Sequence, residues 1–173
     1  MIFELICVII YYVYLYLGFR KVRKMKEDYL VTIVTRQEIE GERDLLEVTT
    51  HGHLEGEGDS YTLIYTEQEE DGTESTTRLQ VEKGKLITVN REGSIATYML
   101  IENEVRHHSH HVTPYGSLSM GVCGKEIMSD MTAEGGRLRF SYATDIEKNT
   151  LGVIEFDITA RRKNGYIKEQ EEH

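Results

Sequence analysis

The sequence predicts an all-β protein, an antiparallel up-and-down β-barrel of about eight to ten strands. Three observations lead to this prediction. Apolar and polar residues alternate in ten short segments, as they do in strands with one packed and one solvated face. Glycine-bearing turns join these segments at short intervals, and no segment between them has the period of an amphipathic helix. Closing such a sheet into a barrel removes its exposed edges.

Each element has its own local signal. The first segment has a nearly continuous β-branched centre, which predicts a strand partly covered on both faces. The last has the cleanest alternation, and Phe156 there and Phe140 in the preceding segment are predicted to point into the core. Residues 130–136 are predicted to form a loop. The predicted strands are Tyr29–Ile39, Leu45–His53, Ser60–Thr66, Thr73–Glu82, Leu86–Arg91, Ser94–Ile101, Val105–Val112, Leu118–Cys123, Arg137–Tyr142 and Ile154–Thr159.

The charge is unevenly distributed along the 173 residues. The net charge is −10, but residues 1–24 carry +3 and the remainder therefore carries −13. An acidic body repels phosphate backbones, so we expect no nucleic-acid partner. The two cysteines, Cys7 and Cys123, form no disulfide framework, and we expect a cytoplasmic protein.

Residues 1–24 form a hydrophobic amino-terminal segment distinct from the rest. Ile2–Phe19 approaches the length of a membrane span, but its four tyrosines suit a bilayer centre poorly. Two interpretations remain open. One is a misplaced start, with translation beginning at Met25, and it is the one we favour. The other is a membrane anchor that would leave the barrel in the cytoplasm. The predicted organisation is this segment, a barrel domain over residues 25–163, and a charged tail over residues 164–173.

Four motifs, in this order, carry a family resemblance: Tyr61-Thr-Leu-Ile-Tyr65, Arg91-Glu-Gly93, Thr113-Pro-Tyr-Gly116 and Gly136-Arg-Leu-Arg-Phe-Ser-Tyr142. Over roughly Tyr29–Arg162 the chain resembles the YwiB-like family, bacterial domains of unknown function. The resemblance implies a calycin (lipocalin-like) β-barrel and a small cytoplasmic protein. It implies no established ligand or activity.

A barrel of this size can hold a small ligand or have a filled core. The candidate ligand-binding residues are Tyr61, Tyr65, Arg91 and Tyr115. In the turn that contains Tyr115, proline fixes φ and Gly116 permits a positive φ. This turn places the tyrosine to plug the barrel mouth or to pack against the core.

Histidines in two strands suggest an alternative function. His108 and His110 share one face of their strand, with His107 and His111 on the other, and His51 and His53 share a face of an earlier strand. Two such pairs supply four imidazoles for zinc or copper when the strands are adjacent. The competing prediction is that His107–His111 is a mostly solvated strand without a built metal site.

No catalytic signature is present in the sequence. It has no Gly-x-Ser-x-Gly elbow, no phosphate-binding Walker loop and no dinucleotide fingerprint. We therefore expect a non-enzymatic barrel without a cofactor, which binds a small molecule or a protein partner. The alternative is a metal-binding protein or metal-dependent enzyme that uses the His107–His111 strand.

Overall fold

A computed structural model describes residues 28–39, 41–69 and 72–163. These residues form ten antiparallel strands in a closed ring, which confirms the predicted calycin-like β-barrel. In the described part of the chain, no helix has the length and apolar character needed to cross a membrane. Residues 1–24, the start at Met25 and the tail over 164–173 lie outside the described residues.

Each strand pairs with its neighbours in sequence, and β1 closes the ring by pairing with both β2 and β10. Residues 130–136, predicted as a loop, contribute to β9 from Gly135 onward. The second, eighth, ninth and last strands are longer than predicted, because their pairing with neighbouring strands continues beyond the alternating segments. The strands are β1 Tyr29–Ile39, β2 Glu42–Glu57, β3 Ser60–Gln68, β4 Glu74–Glu82, β5 Leu86–Glu92, β6 Ala96–Glu102, β7 Arg106–Thr113, β8 Gly116–Ser129, β9 Gly135–Ile146 and β10 Asn149–Arg162.

The hydrophobic core lies inside the barrel, where alternate residues of each strand point. Fully buried aliphatic side chains come from strands all round the ring. Phe140 is buried, and Phe156 is partly buried and packs against the core cluster, so both point inward as predicted. The inward-facing core includes Val31, Leu63, Leu79, Val81, Ile87, Ile101, Val122, Leu138 and Ile158.

One end of the barrel, which we call the plugged end, is covered by the β8–β9 loop. Met131 in this loop is only 1% exposed. The loop is tied across the end by the Tyr29 hydroxyl, which donates to the Ala133 carbonyl (2.6 Å), and by the Gly58 amide, which donates to the Met131 carbonyl (2.8 Å). Gly136 permits this fold-back, because a side chain there would collide with the Met131 backbone.

The opposite end, which we call the open end, carries the turns β1–β2, β3–β4, β5–β6, β7–β8 and β9–β10. Here β2 separates from β3: the two strands pair only over Gly52–Glu57 and Ser60–Tyr65. Residues 42–51 of β2, which lead toward the open end, pair with β1 alone, and Leu45 and Leu46 in this part are exposed. The interior is therefore closed by side chains at one end and accessible at the other.

Phe140 and Phe156 provide a test of the core. We expect Phe140→Ala to lower the free energy of unfolding by about 3–5 kcal/mol, because a buried ring is lost and a cavity remains. Phe156→Ala should cost less, since this ring is only partly buried. Urea unfolding of both variants measures the difference.

Tyr115→Ala is the matched control, because Tyr115 is 99% exposed and its loss should change stability by no more than about 0.5 kcal/mol. A cost below about 1 kcal/mol for Phe140→Ala would contradict the assignment of the β9 inner face.

Candidate functional site

A cavity of about 210 Å³ occupies the barrel interior toward the open end. The plugged end and the buried aliphatic core lie beneath it. Its lining comes from seven strands, and every lining residue belongs to the inward-facing set of its strand. The lining residues are Tyr65, Thr77, Leu79, Val89, Arg91, Thr97, Met99, His111, Phe140, Tyr142 and Phe156.

One wall of the cavity is aromatic. Phe140 and Phe156, paired across β9 and β10, stack with ring centroids 4.9 Å apart and planes 8° from parallel. Tyr142 is also nearly parallel to both rings, at 6.4 and 6.3 Å. Such a wall offers a flat apolar surface on which another ring can stack.

The facing wall carries a guanidinium on β5. Arg91 Nη1 contacts Glu67 Oε2 and Arg91 Nη2 contacts Glu69 Oε1, both at 3.3 Å, and Nη2 also donates to Ser75 Oγ at 3.0 Å. Ser94 donates a further hydrogen bond to the Glu69 carboxylate. Arg91 keeps 34% of its side-chain exposure, so this network lies where the cavity meets solvent.

Two polar atoms of this wall lack hydrogen-bond partners. Among the described residues, Thr77 Oγ1 and Arg91 Nε are the two buried side-chain polar atoms without one. Thr77 lies within reach of the Tyr65 phenol, and this weak side-chain hydrogen bond lowers the Tyr65 pKa against the effect of burial, but no group meets normal hydrogen-bond geometry at Thr77 Oγ1. Both residues line the cavity, and they are direct partners across β4 and β5. An unsatisfied buried polar group is rare in native proteins.

The cavity phenols are held in the neutral form. Burial raises the pKa of Tyr65 well above its ordinary value, and the neighbouring Glu67 carboxylate adds to the rise. Burial also raises the pKa of Tyr142. Both hydroxyls therefore remain hydrogen-bond donors at every physiological pH.

His111 is fixed between two hydroxyl groups. Its Nε2 lies 3.0 Å from Ser109 Oγ and its Nδ1 lies 3.1 Å from Thr97 Oγ1. Because Ser109 donates its proton to the Met120 carbonyl, we assign the His111 proton to Nε2, and Nδ1 then accepts from Thr97. Burial, with a contribution from His110, lowers the pKa of His111. The ring is therefore a neutral part of the cavity lining.

The four predicted ligand-binding residues are only partly brought together. Tyr65 and Arg91 line the same cavity. Tyr61 is buried near the plugged end, where its hydroxyl lies 2.8 Å from Ser129 Oγ and burial raises its pKa to about 12. Tyr115 neither plugs the mouth nor packs on the core, because the Thr113 hydroxyl closes a tight turn through Tyr115 N and Gly116 O that leaves the ring in solvent.

The predicted metal-binding histidines are separated by the barrel. His51 and His53 lie on β2, and His108 and His110 lie on β7, which is five strands away in either direction. The adjacency that a four-imidazole site needs is therefore absent. Among the described residues, no group of three or more His, Cys, Asp or Glu has an arrangement that could hold a metal ion.

His108 and His110 do share the outer face of β7, as predicted. His108 Nε2 accepts a hydrogen bond from Arg106 Nη1 at 3.2 Å, since a guanidinium has no acceptor. Arg106 also forms a two-point ion pair with Asp145, which lowers the pKa of that carboxyl to about 2. The lone pair of His108 is thus already engaged by a cation.

Sequence reasoning missed most of the cavity's polar residues, although a signal for them exists. Thr77 lies on the same strand face as Leu79 and Val81, and Thr97 lies on the same face as Met99 and Ile101. In each strand the polar residue is at the open end of an apolar row. A polar residue that interrupts an inward-facing apolar row indicates a place where the interior is not filled by hydrocarbon.

The ring of ten strands and its cavity at one end define a calycin-like β-barrel. The chain belongs to the family described as domain of unknown function DUF1934, whose model matches residues 31–158. Among solved structures, it is similar in fold to the ywiB protein from Bacillus subtilis, with a TM-score of 0.70 and 20% sequence identity. That match covers 84% of this chain and 99% of the other. Comparison with curated proteins gave no significant match.

His111 provides a pH test of the site. Its pKa is lowered on folding, so protons bind the unfolded chain more readily, and folding stability is lost as pH falls below the ordinary value of about 6.5. We expect His111→Gln to reduce this loss between about pH 7.5 and pH 5.5. Unfolding in urea at both pH values measures it. Val112→Gln, a change at an exposed position of β7 that removes no titratable group, should keep the native pH slope, and equal slopes for all three proteins would contradict the assignment.

Proposed function

We propose that this protein is a non-enzymatic binding module that holds a small molecule in the open-end cavity. The observation that carries the proposal is the cavity itself, an aromatic wall facing a wall of polar groups with the opposite barrel end plugged by Met131. Small-molecule sites commonly combine an apolar surface with a few placed polar groups. The arrangement suits one ligand that enters from the open end.

The size of the cavity supports a small ligand. A cavity of about 150 Å³ accommodates one benzene ring. About 210 Å³ is room for one ring with a short substituent. A filled-core barrel without a ligand is less well supported, because Thr77, Thr97 and His111 place hydrogen-bonding groups where a packing core would have hydrocarbon.

The chemistry of the lining supports binding rather than catalysis. Ser109 and His111 are in contact, but in the tautomer assigned above Ser109 donates to a carbonyl and His111 Nε2 carries a proton, so the imidazole does not act as a base toward Ser109. Cys123 lies on β8 between the inward-facing Val122 and Gly124 and is directed away from the lumen. The tyrosine hydroxyls are neutral. These features favour a site that orients a ligand without reacting with it.

The acidic balance of the chain disfavours a polyanion such as a nucleic acid and is compatible with an uncharged small molecule. A cytoplasmic location is part of the proposal, and it rests on cysteine usage and on the family resemblance. A protein partner would bind at a different surface of the barrel, and the cavity is not evidence for such a surface.

Titration of the protein with toluene and with benzamide tests the proposal. We expect at least one to shift the amide resonances of Thr77, Tyr142 and Phe156 in two-dimensional NMR, because either ring fits the cavity. In parallel, native mass spectrometry of gently purified protein should detect any molecule that remains bound.

Val89→Phe is the matched blocking variant, because Val89 lines the cavity and a larger ring there fills it. Val112→Phe makes the same change at an exposed position of β7 and is the control. We expect binding to persist in the control and to disappear in Val89→Phe. Shifts that survive Val89→Phe, or no binding of these probes or of charged single-ring molecules of the same size, would contradict the proposal.

A further inference from the structure

We propose that the cavity takes a small, planar, uncharged aromatic molecule whose hydrogen-bond acceptor, a carbonyl or a ring nitrogen, meets Arg91 Nε and Thr77 Oγ1. This inference rests on the proposed function and specifies the chemical class of the ligand. Three independent features of the described residues support it: the relative position of the two walls, the two unpartnered atoms and the charge around Arg91.

The two walls are directly opposite each other. In the ring of ten strands, β4 lies five strands from β9 in either direction, and β5 lies five strands from β10. Thr77 and Arg91 on β4 and β5 therefore face the stacked rings of Phe140 and Phe156. A ligand ring packed on the aromatic wall directs its far edge to the two polar residues.

The two unpartnered atoms determine which chemical group the far edge of the ligand ring must have. Arg91 Nε has one N–H and no acceptor of its own, so it needs an acceptor. Thr77 Oγ1 donates or accepts and can join the same group. A carbonyl oxygen has two lone pairs and can serve both donors at once. The neutral Tyr65 and Tyr142 hydroxyls are further donors in the lining.

The charge around Arg91 disfavours an anion. One guanidinium is flanked by the two carboxylates of Glu67 and Glu69, so these three groups carry a net charge of −1. A ligand carboxylate would compete with both for the same cation. A cationic ligand would instead have to lie against the Arg91 Nε–H. A neutral acceptor uses the free donor without disturbing the ion pairs.

Four matched probes test this class on the full chain: benzamide, benzoate, benzylamine and toluene. They share one ring and differ in the charge and hydrogen bonding of a short substituent. We expect benzamide to bind most tightly. Benzamide should also shift the Arg91 side-chain Nε–H resonance strongly downfield, whereas toluene should leave this resonance unchanged, because only benzamide supplies an acceptor.

Thr77→Val tests the second contact without changing side-chain size greatly. We expect it to weaken benzamide by about fivefold to tenfold, the value of one hydrogen bond, and to leave toluene unaffected. Thr76→Val makes the same change on the outward face of β4 and should alter neither affinity. The Arg91 resonance keeps the inference testable if Thr77→Val does not fold.

The outcomes separate the two proposals. Tightest binding by benzoate or benzylamine would overturn the uncharged class and leave the binding function standing. Equal binding of benzamide and toluene, with an unmoved Arg91 resonance, would mean that water alone satisfies the two atoms and would overturn the inference. Failure of all four probes would contradict the binding function itself.

Discussion

Closure of ten strands into one ring is the constraint on which the rest of the structure depends. The diameter of a barrel grows with strand number, and about eight strands already enclose a space that side chains just fill. Ten strands therefore enclose more volume than their inward-facing residues need occupy. The structure uses different solutions at its two ends. A folded-back loop fills one end with Met131, and a cavity remains at the other.

The same closure sets which residues can act together. Neighbours in sequence are neighbours in the ring, so Thr77 and Arg91 are adjacent, whereas residues five strands apart face each other across the lumen. Thr77 and Arg91 form one wall of the cavity, and Phe140 and Phe156 form the opposite wall. On the outer surface the geometry has the reverse effect, because opposite strands point their outer side chains away from each other. The separation of His51 from His108 follows from this.

The polar groups at the open end are stabilised by one another as well as by solvent. Arg91 is shared between Glu67, Glu69 and Ser75, and His111 is shared between Thr97 and Ser109. Each network satisfies groups that would otherwise be costly to bury. The two atoms left over, on Thr77 and Arg91, are the exception, and their common position is the observation on which our proposal of a bound acceptor rests.

The sequence by itself determined the strand order, the antiparallel pairing and the inner face of the last two strands, because alternation and short turns are local properties. It therefore placed Phe140 and Phe156 inside and separated the faces of His107 and His108 correctly. Only the tertiary structure decided which inner faces meet across the lumen, that Tyr61 and Tyr65 serve different ends of the barrel, and that Tyr115 is exposed. These depend on how far each strand extends and on how the loop at Met131 folds back, and such long-range contacts leave no periodic trace in the sequence.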